Sequence, residues 1–76
     1  MAGSPAELIE FIVKAIVTSP ESVNVREVQD GRLLELETAP EDRGRVIGRQ
    51  GRVAKAMRAV LGASRDGANV RLDIVD

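Results

Sequence analysis

Cysteine, histidine, tryptophan and tyrosine are absent from these 76 residues, and phenylalanine occurs once. Without cysteine there is no disulfide framework, no thiolate metal site and no thiol nucleophile. Without histidine the commonest metal ligand and general base is missing. No paired-acid constellation replaces them, so neither an enzyme nor a bound cofactor is expected. A single aromatic all but excludes the reading of bases by stacking platforms. No run approaches eighteen apolar residues, and no basic stretch followed by an apolar one opens the chain. By these signals the protein is neither secreted nor membrane-spanning, and is expected in the cytoplasm.

What is present suits one small soluble domain. Apolar residues make up 43% and charged residues 30%, ordinary values that argue against disorder. A chain of this length buries only about 60% of the surface its unfolded form exposes. A single domain over 1–76 is expected, with residues 1–4 as a flexible N-terminus. Eleven basic residues against twelve acidic ones give a net charge of −1, which as an average points away from nucleic acid. The distribution says otherwise. Residues 43–65 hold seven basic and no acidic side chains, leaving a net −8 on the rest of the chain.

Ser4 precedes Pro5 and stands three residues before Glu7. This combines an N-cap, proline at the first helical position and a capping-box acid. The helix it opens should run to about Thr18 and stop before Pro20. Glu7, Glu10, Lys14 and Thr18 form a narrow polar stripe; everything else from Leu8 to Val17 is apolar, a wider surface than one sheet contact requires. Two alternating segments follow, Val23 to Arg26 and Leu34 to Glu37, around an Asp30-Gly31 hairpin signal. Pro40, Glu41 and Asp42 read as a helical first turn, followed by a short helix to Ile47. A longer one is expected from about Gly51 to Ala63, with Val53, Met57, Val60 and Leu61 inward. Val70, Leu72 and Ile74 alternate with Arg71 and Asp73 as a last strand. The order is α-β-β-α-α-β. One sheet face should be covered by the helices and one solvated.

The informative segment is Val46-Ile47-Gly48-Arg49-Gln50-Gly51. Two glycines around two polar residues allow a sharp turn and close approach of a ligand. The second glycine opens a helix, whose free N–H groups and positive dipole end favour an anion. Arg43, Arg45, Arg49, Arg52, Lys55, Arg58 and Arg65 surround it, and Arg52, Lys55 and Arg58 share one helical face. Taken alone, a C-cap glycine before a helix start accounts for Gly-x-x-Gly, and a basic helix face is commonly just solvated. A Walker loop and a Rossmann fingerprint both fail on spacing.

Apolar-apolar-Gly-x-x-Gly between two helices, with helix and strand following, resembles the KH domain, whose loop clamps about four nucleotides by their backbone. Helix and hairpin first is similar to the type II arrangement, an α+β fold with helices on one face of a three-stranded mixed sheet. The likeness spans roughly residues 5–76. In size, and in Val25-Arg26-Glu27, Ala39-Pro40-Glu41-Asp42 and Val70-Arg71-Leu72-Asp73-Ile74-Val75-Asp76, it is similar to the small single-KH bacterial proteins of the KhpA family. The segment Gly62–Asn69 is shorter and less rich in lysine than that likeness leads one to expect.

The resemblance implies an RNA chaperone gripping single-stranded RNA, acting as a homodimer or with a second KH protein of the KhpB, Jag or EloR type. It also implies links to cell elongation and peptidoglycan homeostasis. Its RNA contacts would fall on Arg45, Ile47, Gly48, Arg49, Gln50, Gly51, Arg52, Lys55 and Arg58, with Val46, Ile47 and Val53 as an apolar floor, Val46 and Val53 reading equally well as core, and Arg65 to Leu72 as the opposite wall. Two other readings stay open. One is a helix-turn-helix DNA binder using the helix from Gly51, against which the three strands argue. The other is a dimerisation or adaptor module with little RNA affinity of its own.

Overall fold

The computed structural model describes residues 4–75; of the N-terminus expected to be flexible, residues 1–3 lie outside them, and Ser4 is the N-cap of the first helix. Helix α1 spans Pro5–Ile16, and Ser4 Oγ accepts the Glu7 N–H at 3.2 Å. Strands β1 (Asn24–Val28) and β2 (Leu33–Glu37) form an antiparallel hairpin with Val28 opposite Leu33. A 3₁₀ turn over Pro40–Asp42 leads into α2 (Arg43–Ile47). Helix α3 (Arg52–Ala63) follows, and β3 (Arg71–Ile74) runs parallel to β2. The sheet order is β1-β2-β3, mixed as expected.

Alternation within the strands decides which side is covered. Leu34, Leu36 and Leu72 turn inward and join Ile9 and Val13 of α1, Val46 of α2, and Met57 and Leu61 of α3. On the opposite face Arg26 pairs across the hairpin with Glu35 at 3.0 Å. The helices therefore form one layer and the sheet the other.

Three expectations need correction. Helix α1 ends at Ile16 rather than Thr18: Val17 turns extended, and the Thr18 N–H goes to the Asp42 carboxylate at 2.9 Å instead of continuing the helix. The hairpin turn is centred on Asp30-Gly31 as expected but is longer than that pair. Gln29, Asp30 and Gly31 all have positive φ, in a four-residue connection rather than a two-residue Asp-Gly one. Val60, expected inward, is 43% exposed, and Ala54 takes the inward place with Met57 and Leu61. Phe11 is 72% exposed, so part of the wide apolar face of α1 is not core. Among the described residues, no helix is long and apolar enough to cross a membrane.

Candidate nucleic-acid interface

Gly48 ends α2 with φ 79° and ψ 169°, a conformation that favours glycine. A Cβ there would lie 2.6 Å from Val53 Cγ2 and 2.8 Å from the Val53 backbone nitrogen. Val53 therefore packs where a side chain on residue 48 would stand. Gln50 and Gly51 then adopt consecutive left-handed conformations, with φ 58° and 74°, and α3 begins at Arg52. A left-handed glutamine is uncommon backbone. It turns the chain between two helices within four residues and thrusts Arg49 and Gln50 outward.

The loop's own hydrogen bonds determine which of its amides face solvent. The Gly51 N–H donates to the Gly48 carbonyl at 3.0 Å, and the Arg52 N–H to the Arg49 carbonyl. Two of the amides expected to face an anion are thus committed inside the loop.

Arg45, Ile47, Arg49, Gln50, Arg52, Lys55 and Arg58 are all exposed, around one loop and along one helix. Arg45 Nε sits 3.9 Å from Asp42 Oδ1, and Arg52 Nη2 reaches Gln50 Oε1 only at 3.5 Å. Among the described residues, Arg49, Arg52, Lys55 and Arg58 make no ion pair. Their charge is uncompensated. Of the three residues expected as an apolar floor, Val46 is fully buried core and Val53 is half-buried against Gly48. Ile47, 37% exposed, is the most open of the three.

Arg58 does something its place in the basic stripe does not reveal. Its Nε and Nη2 donate to the Leu72 carbonyl at 3.3 and 3.2 Å. An open cleft of 530 Å³ lies there, lined by Leu33, Arg58, Val70, Arg71, Leu72 and Asp73.

Asp42 supports the loop from behind. Its side chain is only 1% exposed. Oδ1 accepts the Thr18 N–H at 2.9 Å and the Thr18 hydroxyl at 2.8 Å, while Oδ2 accepts the Ser19 N–H at 3.0 Å. The Thr18 N–H, aided by the Thr18 hydroxyl, the Ser19 N–H and Arg45, holds this carboxyl below its ordinary range against the opposing effect of burial. The chain after α1 is thereby tied to the start of α2, which carries the loop.

The family model for the KH domain of KhpA and KhpB matches residues 6–74. This chain belongs to that KH-domain family. It is 49% identical over 72 residues to the RNA-binding protein KhpA of Streptomyces coelicolor, covering 92% of this chain and 90% of the relative. The RNA-binding protein KhpA of Clostridium perfringens is 52% identical over 60 residues, covering 76% and 80%. That of Borreliella burgdorferi is 44% identical over 78 residues, covering 97% and 95%. No solved structure matches.

Within this KH domain, sequence reasoning missed the roles of Asp42 and of the Arg58–Leu72 contact. Asp42 looked like a dipole-complementing acid, and no local pattern links it to residues 24 positions earlier. Of the cleft lining, Asp73 was legible only as the outer face of a strand, whereas Val70, Arg71 and Leu72 belong to the segment expected as the opposite wall.

Proposed function

We propose that this KH domain binds single-stranded RNA along the Gly48–Gly51 loop and the basic face of α3. In this reading it is a binding module, not an enzyme, working in the cytoplasm as an RNA chaperone with a second KH protein. The carrying observation is the left-handed loop flanked by exposed, unpaired cations, in a family whose relatives are RNA-binding proteins by name.

Arg45, Arg49, Arg52 and Lys55 supply charge to the phosphates, and the Arg49 and Gln50 amides at the loop apex supply backbone contacts. Ile47 lies beneath the sugar or base. If about three phosphates are neutralised, log K falls with log salt at a slope near −2, the single-strand value. Replacing Arg49 and Gln50 with Asp should abolish binding of a single-stranded RNA, with the circular dichroism unchanged. Unaltered affinity in that double variant would remove the loop from the mechanism.

The adaptor reading rests on Phe11 and Val60, apolar side chains that α1 and α3 leave exposed. Sedimentation of the wild type against Phe11→Glu and Val60→Glu tests it. At least one variant should shift a dimer to monomer while its melting temperature stays within a few degrees, since neither side chain is core.

A further inference from the structure

We infer that Lys55 is a site of acylation by small anionic acyl phosphates, and that the modification lowers RNA affinity. Only the effect on RNA rests on the binding reading above.

The chain carries nine arginines but two lysines, Lys14 and Lys55. An acyl donor forms a stable amide with a lysine amine, whereas a guanidinium keeps its proton and does not react. The choice lies between two side chains, and their surroundings are opposite. Lys14 Nζ is held by Glu10 Oε2 at 3.0 Å, one turn back on α1. Lys55 is exposed and, among the described residues, makes no ion pair. Arg52 and Arg58 stand three residues to either side of it on α3, a spacing that sets Cβ atoms about 5–6 Å apart. Its Cε lies 3.9 Å from where a Cβ on Gly51 would stand, so its amine is carried beside the loop that bears Arg49. No acidic residue occurs between 43 and 65.

This setting selects a donor by its charge. A surface of one sign raises the local concentration of a small counter-ion by about tenfold or more. An acyl phosphate is anionic at the phosphate and electrophilic at the adjoining carbonyl carbon. Arg49, Arg52 and Arg58 attract its phosphate, while Glu10 beside Lys14 repels it. Lys55 Nζ attacks the acyl carbon and the new C–N bond forms. The bond from that carbon to the phosphate oxygen breaks, inorganic phosphate leaves with the electron pair, and the amine proton passes to water. The resulting amide is uncharged, so one cation is lost from the middle of the Arg52–Arg58 face. RNA bound on that face covers Lys55, and binding and acylation exclude each other.

The test follows acetylation by acetyl phosphate, with rates at Lys14 and Lys55 read from the masses of proteolytic fragments. Lys55 should lead by about tenfold. The lead should largely vanish with acetic anhydride, an uncharged donor, and in the Arg49→Gln, Arg52→Gln double variant. Saturating single-stranded RNA should protect Lys55 and leave Lys14 reactive. Lys55→Gln, which mimics the amide, should bind RNA more weakly than Lys55→Arg, and its slope of log K against log salt should be shallower by about 0.7. If Lys55→Gln does not fold by circular dichroism, wild type acetylated at Lys55 and separated by ion exchange replaces it. Equal rates at the two lysines, or a lead that persists with the anhydride or without the two arginines, overturns the inference and leaves the loop reading intact. So does RNA that fails to protect Lys55, or acetylated protein that binds RNA as tightly as before. A protein that binds no single-stranded RNA yet shows the Lys55 lead removes the RNA-binding reading and the effect on RNA, and leaves the acylation site standing.

Discussion

Asp42→Ala should lower the melting temperature by on the order of 10 °C, although in sequence the residue is one of two adjacent acids in a polar turn. The carboxylate accepts two backbone N–H groups and one hydroxyl from Thr18 and Ser19. Removing it leaves those amides without their acceptor, and a stranded donor costs more than a made hydrogen bond contributes. Acid should reproduce part of the effect. A carboxyl whose folded-state pKa is depressed stabilises fully above its unfolded value, near 4, and loses that contribution as pH falls through the folded value. The gap in melting temperature between wild type and Asp42→Asn should therefore be constant from pH 5 to 8 and narrow below about pH 4. A gap that is flat down to pH 2.5 would show that the carboxylate's charge is immaterial. Because Asp42 begins the segment that becomes α2, the same variant should bind RNA more weakly even at a temperature where it is folded.

The elements that could be read from the chain are those whose cause is local. Ser4, Pro5 and Glu7 define the start of α1 within four residues, and they do so in the structure. Alternation of Leu34 and Leu36 with Glu35 and Glu37 fixes the buried face of β2. Gly48, followed by two polar residues and Gly51, marks the loop. The end of α1 was misplaced because its cause is distant: Asp42 takes the Thr18 amide that another helical turn would have used. Val60 was misplaced because it lies at the margin of the α3 face, where the depth of the groove, not the period, decides exposure. The site divides in the same way. Loop and cations were legible as a run of charge, whereas the edge contact of Arg58 depends on where β3 comes to rest.

The glycines around the loop should rank in a fixed order when each is replaced by alanine, and Gly48→Ala should be the most damaging. Gly44 lies inside α2 with nothing within 4 Å of an added Cβ. Alanine there removes freedom from the unfolded chain and should stabilise by about 0.5–1 kcal/mol. Gly51 has φ 74°, but its nearest neighbour is the flexible end of Lys55 at 3.9 Å. The cost is backbone strain alone, about 1 kcal/mol. Gly48 combines φ 79° with a Cβ that would stand 2.8 Å from the Val53 backbone nitrogen. Val53 could rotate its methyl group away, but its nitrogen is held in the first turn of α3, so loop and helix must separate. A cost of about 2–4 kcal/mol follows from strain and displacement together. That is a large share of the roughly 4–11 kcal/mol available to a domain of this size. Thermal melts should place Gly44→Ala above wild type, Gly51→Ala slightly below, and Gly48→Ala lowest by 10 °C or more, on the usual scale for small domains. RNA affinity should part company with stability at one position. Gly51→Ala melts near the wild type yet disturbs the turn that presents Arg49 and Gln50, so its binding should fall about tenfold. Wild-type affinity in Gly51→Ala would mean that the left-handed turn only joins two helices.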